Sequence, residues 1–133
     1  MNENNKFHWS DLSVNNENID NQHKHIFDIL DHLNMLSSEA SKKSQFALLL
    51  TDLTEYGLSH LKEEEKFMAE NQYPGLEEHK KVHKEYLLKI ATFNIKFNKT
   101  YQQEVVDFLK NWWFNHISIM DMQYRDFIES KKQ

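Results

Sequence analysis

Histidine and carboxylate are the residues through which this chain could do chemistry. It has eight histidines and no cysteine. Disulfides, thiolate zinc sites, iron–sulfur clusters and cysteine nucleophiles are therefore excluded, and a transition-metal site would have to use imidazole and carboxylate. Five histidines (His23, His60, His79, His83 and His116) stand where Leu or Ile would continue an apolar stripe. A buried imidazole without a partner is costly, so each must be satisfied. A single one could be a hydrogen-bonded core residue. Five on four inward faces, with acids alongside, are satisfied together by a shared metal site.

Helical geometry sorts the candidates. Each residue advances about 100° around a helix, so His79 and His83, four apart, lie about 40° apart on one face. His60 and Glu64 have the same spacing. Glu63 and Glu65 are rival acids on that turn, but Glu64 lies best on the stripe through Leu53, His60 and Phe67. His25 and His32 fall about 200° and 180° from His23 and should face solvent; His8 lies outside the helices. These three are read as non-ligands. Asp121 is awkward, because five residues after His116 is about 140° away on an ideal helix. Periodicity alone would choose Ile119 or Met120. Either the helix widens there into a π-bulge, or Asp121 reaches in from the edge.

Four helical segments must position these residues. Apolar residues recur at three- and four-residue steps. The first segment runs over about 19–39, with Ile19, His23, Ile26, Leu30 and Leu33 inward. The second covers about 42–71, with Phe46, Leu50, Leu53, Gly57, His60, Glu64 and Phe67 inward. The third follows Pro74 and Gly75, with Leu76, His79, His83, Tyr86, Ile90 and Phe93. The fourth covers about 101–129, with Val105, Phe108, Trp112, His116 and Ile119. Breaks fall at Ser37, Ser38 and Ser41, at Tyr73-Pro74-Gly75, where Pro suits a helix's first turn, and at Asn98-Lys99-Thr100. Short connections imply antiparallel neighbours. The expected fold is all-α, an up-down-up-down antiparallel four-helix bundle over 19–133 with an N-terminal arm over 1–18. Phe7 and Trp9 should pin that arm to the bundle.

Composition agrees. A length of 133 residues fits one domain with one core. Two glycines and one proline are too few for a β-sandwich or barrel of this length. A net charge of −5 disfavours nucleic-acid binding. No stretch approaches the roughly 18 apolar residues of a membrane span, and the polar start, Met1–Lys6, is no signal peptide. A cytoplasmic location is expected. No broad apolar outer face is evident, so a monomer is expected.

The sequence resembles the hemerythrins, in particular the single-domain bacterial hemerythrins, over about Trp9 to Phe127. The matching stretches are Ile19-Asp20-Asn21-Gln22-His23-Lys24, His60-Leu61-Lys62-Glu63-Glu64, Glu78-His79-Lys80-Lys81-Val82-His83, and Asn115-His116-Ile117-Ser118-Ile119-Met120-Asp121. All four occur in order, one per helix. The resemblance implies that His23, His60, Glu64, His79, His83, His116 and Asp121 hold two iron ions with an oxo or hydroxo bridge. It places His79, His83 and His116 on one iron and His23 and His60 on the other. Glu64 and Asp121 would bridge them, and the second iron would keep an open position. It implies that Asp121 is a ligand, which spacing leaves undecided.

The implied function is reversible dioxygen binding, for storage, delivery or sensing, and not catalysis. Ferritin-like di-iron proteins use Glu-x-x-His motifs, and this chain has none. A site rich in neutral imidazole should stabilise high-valent iron less well, which favours binding and release. The alternatives are a di-iron enzyme acting on peroxide or nitric oxide, a ferroxidase-like iron-handling protein, and a structural bundle whose histidines bind zinc. Ile26, Leu61, Trp113 and Ile117 should line the ligand pocket. Trp113 departs from the family, which usually has a smaller aliphatic residue there. It either packs a helix interface or narrows the oxygen channel and shields the second iron. Asn15-Asn16 is a second departure, where the family often has Gly and an aliphatic residue.

Overall fold

The structure is a computed structural model describing residues 9–96 and 102–132. After a short 3₁₀ turn at Trp9–Leu12 come α1 (Glu17–Ser37), α2 (Lys43–Glu70) and α3 (Leu76–Lys96). The last rod is α4 (Gln102–Asn115), a π-helical turn (His116–Asp121) and α5 (Met122–Lys131). The architecture is a four-helix bundle with no strand among the described residues. Helix α1 packs on α2 and α4, and α2 packs on α3. No helix among the described residues is long and apolar enough to cross a membrane.

Local chemistry sets the helix ends. The Asn16 side chain accepts from the Ile19 amide at 3.0 Å and caps α1. Asn15, just before it, has a φ of 62°, in the left-handed region that Asn tolerates better than most residues. The Asn pair that departs from the family pattern thus starts the first helix. The approach is tied down by Asp20, which accepts from the Val14 amide at 2.9 Å and the Ser13 hydroxyl at 2.6 Å. Trp9 packs edge-on against Phe27, with ring centroids 5.4 Å apart. Phe7, His8 and the break at Asn98-Lys99-Thr100 lie outside the described residues.

The expected stripes of α1 and α3 match the buried residues closely. In α2, Met68 is the buried residue beyond Glu64, and Phe67 is half-buried. The last rod differs most. Val106, Leu109, Trp113 and Ile117 are buried, Phe108 and Trp112 only half-buried, and Ile119 is 58% exposed.

The apolar interior forms two clusters. The larger includes Ile26, Leu61, Tyr86, Trp113 and Ile117. The smaller contains Val14, Ile19, Met68, Tyr124 and Ile128, with Leu76 against it. On every rod at least one buried polar residue falls between the two. His23 lies between Ile19 and Ile26, and Glu64 between Leu61 and Met68. His79 and His83 lie between Leu76 and Tyr86, and Asp121 lies between Ile117 and Tyr124.

Candidate metal centre

All seven polar side chains singled out from the sequence are buried: His23, His60, Glu64, His79, His83, His116 and Asp121. Two groups of donor atoms emerge, each with its atoms within 4.8 Å of one another. One holds Glu64, His79, His83 and His116; the other holds His23, His60 and Glu64. Glu64 belongs to both.

The two carboxylates divide their oxygens between the groups. Glu64 Oε1 lies 3.1 Å from His83 Nε2, 3.5 Å from His79 Nε2 and 3.9 Å from His116 Nε2. Its Oε2 lies 3.6 Å from His23 Nε2 and 3.8 Å from His60 Nε2. Asp121 Oδ1 lies 3.1 Å from His79 Nε2 and 3.2 Å from His116 Nε2, while its Oδ2 lies 3.3 Å from His23 Nε2.

The π turn brings Asp121 inward. One extra residue in the turn lets the fifth residue after His116 return to the inner side. Of the two possibilities open from spacing, the widened helix is the one found. The extra residue also carries Ile119 outward.

The donor set suits a cation. His23 Nε2, His60 Nε2, Glu64 Oε1 and both Asp121 oxygens are buried with no hydrogen-bond partner among the described residues. Such atoms are expensive unless something satisfies them. The Nε2 atoms of His79 and His83 each lie 3.0 Å from His116 Nε2. Imidazole nitrogens about 2.1 Å from one metal in octahedral geometry would stand about 3.0 Å apart. The spacing is that of ligands sharing an ion.

Charge is balanced within the cluster. Burial works against a proton on His23 and His79, but the carboxylates of Asp121 and Glu64 within 3.1–3.6 Å outweigh it and raise both to about 9. Burial wins at His60 and lowers it to about 4. Burial would raise Glu64, yet the surrounding histidines hold it well below the usual carboxylate range.

Several supporting residues were not legible from the stripes. Tyr124 donates its hydroxyl to Glu64 Oε2 at 2.9 Å. Gln22 Oε1 lies 2.7 Å from His60 Nδ1, and Glu65 Oε2 lies 2.8 Å from His83 Nδ1. Trp112 stacks on His116, with centroids 4.4 Å apart and planes at 12°. Tyr124 had a signal, three residues after Asp121 on the same face. Gln22 and Glu65 sit beside the stripe, facing neighbouring helices.

The expected pocket residues Ile26, Leu61, Trp113 and Ile117 are at most 1% exposed and share the larger apolar cluster. The Trp113 ring lies 5.8 Å from that of His60. Its Nε1 donates to the Tyr86 hydroxyl at 2.9 Å. A Cβ at Gly57 would lie 3.4 Å from Trp113 Cζ2, so the indole packs close over α2 at this position. His25 and His32 are exposed.

Fold and site together define a helical bundle with a buried histidine–carboxylate cluster suited to metal. The family model for the hemerythrin HHE cation binding domain matches residues 14–128, and the chain belongs to the hemerythrin family. It is 32% identical over 128 residues to a bacteriohemerythrin of Clostridium acetobutylicum, covering 90% of this chain and 99% of that one. It is 29% identical over 118 residues to a myohemerythrin of Riftia pachyptila, covering 88% and 89%. A crystal structure of wild-type hemerythrin superposes with a TM-score of 0.81 at 26% identity, covering 91% of this chain and 95% of the other.

Proposed function

We propose that this protein binds dioxygen reversibly at a pair of iron ions held by His23, His60, Glu64, His79, His83, His116 and Asp121. The observation that carries the proposal is the division of the Glu64 and Asp121 oxygens between two histidine groups. Two cations about 3.5–4 Å apart can share such carboxylates. When bound, a reduced iron pair supplies two electrons to dioxygen and recovers them on release.

The chain's own residues hold and protect the site. His79, His83 and His116 would serve one cation, and His23 and His60 the other. Two carboxylates would offset part of the positive charge within the bundle. Tyr124 holds Glu64 by its hydroxyl, which fixes one of the two shared carboxylates. The apolar clusters on either side exclude water. On the two-histidine side, Ile26, Leu61, Trp113 and Ile117 would form an apolar pocket for a small neutral ligand. With fewer carboxylates than the ferritin-like sites, the donor set favours binding over oxidation of a substrate.

The test is to load the protein with ferrous iron under anaerobic conditions, admit oxygen and record the visible spectrum. Absorption that appears with oxygen and disappears on its removal supports the proposal. Irreversible conversion with turnover of peroxide, nitric oxide or ferrous iron would replace it with an enzymatic role. A protein that takes up only zinc would refute it.

A further inference from the structure

Each half of the cluster has one histidine held from behind, and the two holds differ in charge. His83 turns Nε2 toward the cluster and has Glu65 Oε2 2.8 Å from Nδ1. His60 turns Nε2 the same way and has Gln22 Oε1 2.7 Å from Nδ1. Both outer partners are acceptor oxygens, so Nδ1–H donates in each case and Nε2 keeps its lone pair for a cation. The Nδ1 atoms of His23, His79 and His116 have no hydrogen-bond partner among the described residues. Among those residues, Glu65 and Gln22 are therefore the side chains that hold ligand imidazoles by an outer hydrogen bond. Glu65 brings a carboxylate; Gln22 brings a neutral amide.

On the reading that the cluster holds two cations, we propose that Glu65 and Gln22 are positioning residues that make its halves unequal. Glu65 makes the His79/His83/His116 half the tight site. Gln22 leaves the His23/His60 half the weak one, so the chain fills in a fixed order. A carboxylate behind Nδ1–H draws on that proton and makes Nε2 a stronger donor, and a neutral amide does so less. Three histidines against two favour the same order, so the outer contribution must be isolated by exchanging charges. Glu65→Gln removes the charge but keeps an acceptor of similar size. Gln22→Glu supplies a charge behind His60.

The experiment is a cobalt(II) titration of the full chain, followed by calorimetry and visible absorption. Helix content is checked by circular dichroism. The wild-type chain should take up two cobalt ions in two separated steps. Glu65→Gln should weaken the first step by about 10- to 100-fold and leave the second in place, the usual loss when an outer partner is removed. Glu65→Asp should restore part of the first step. Gln22→Glu should strengthen the second step alone. Two cobalt ions whose steps ignore Glu65→Gln, or shift together, overturn the inference while the two-cation reading stands. A wild-type chain that binds fewer than two cobalt ions overturns that reading and the inference with it.

Discussion

Replacing Trp113 by leucine tests whether the indole protects the two-histidine side of the centre or only fills space. Trp113 is fully buried, with its ring 5.8 Å from His60 and its Nε1 bonded to the Tyr86 hydroxyl. Truncating a buried tryptophan to alanine costs about 3–5 kcal/mol, and leucine should recover roughly half. The Tyr86 hydroxyl, itself buried, then loses its partner at a further cost of about 1–3 kcal/mol. A total near 3–4 kcal/mol corresponds to a fall in Tm of roughly 12–16 °C for a chain of this size. Tyr86→Phe is the control, because it removes the hydrogen bond and keeps the indole; it should cost only about 1–3 kcal/mol. The functional assay is the decay of the oxygenated iron-loaded protein to the oxidised form. Trp113→Leu should speed that decay by letting water reach the His60 side, and Tyr86→Phe should not. A decay rate unchanged in Trp113→Leu, despite the lower Tm, would reduce Trp113 to a packing residue. A Tm unchanged within a degree would refute the packing estimate as well.

Three further outcomes follow from the same geometry. Tyr124→Phe removes a donor to a buried carboxylate and should cost about 1.5–3 kcal/mol in urea unfolding of the metal-loaded protein; a loss below half a kcal/mol would mean that Glu64 is held by other means. Gly57→Ala gains roughly 1 kcal/mol of helix propensity and meets Trp113 at ordinary contact distance, so it should raise Tm slightly, whereas Gly57→Val should lower it by crowding the indole. His23 and His79, raised to about 9, carry protons near pH 7.5 before metal arrives, so loading should release roughly two protons, and affinity should climb with pH until about 9. Calorimetry in two buffers of different ionisation heat counts those protons, and a count of zero contradicts the assignment. Before loading, the stability these two histidines contribute is fully present below pH 6.5 and is lost as pH rises through 9. His60, lowered to about 4, acts in the opposite sense: stability falls as pH drops from 6.5 toward 4.

Most of the bundle was legible because helix burial has one period. The stripes through Leu30, Leu50 and Ile90 break only at polar residues, and the breaks themselves marked the cluster. His79 with His83, and His60 with Glu64, followed from four-residue spacing. Asp121 did not, because a 100° step assumes a continuous α-helix and the backbone leaves that geometry between His116 and Asp121. The same departure misplaced Ile119. Gln22 and Glu65 were illegible for another reason. Each lies one residue off an inner stripe, and its role depends on which helix stands beside it, which a single-helix period does not encode. Asn16 shows the limit of family comparison: a residue that departs from the pattern proves to be an ordinary helix cap.

The wide turn at His116–Asp121 also separates the last rod into two reading frames. Val105, Leu109 and Trp113 count inward positions in one frame; Asp121, Tyr124 and Ile128 count them in another, offset by a residue. In a continuous α-helix four steps bring a side chain back to within about 40° of where it began. Loss of exposed Ile119 would therefore let an α turn replace the wide one and still return the aspartate to the side of His116. The rod can lose one residue at this point without exchanging its inner and outer faces. The turn is a splice point, where one residue could be dropped while the buried aspartate stays on the side of His116.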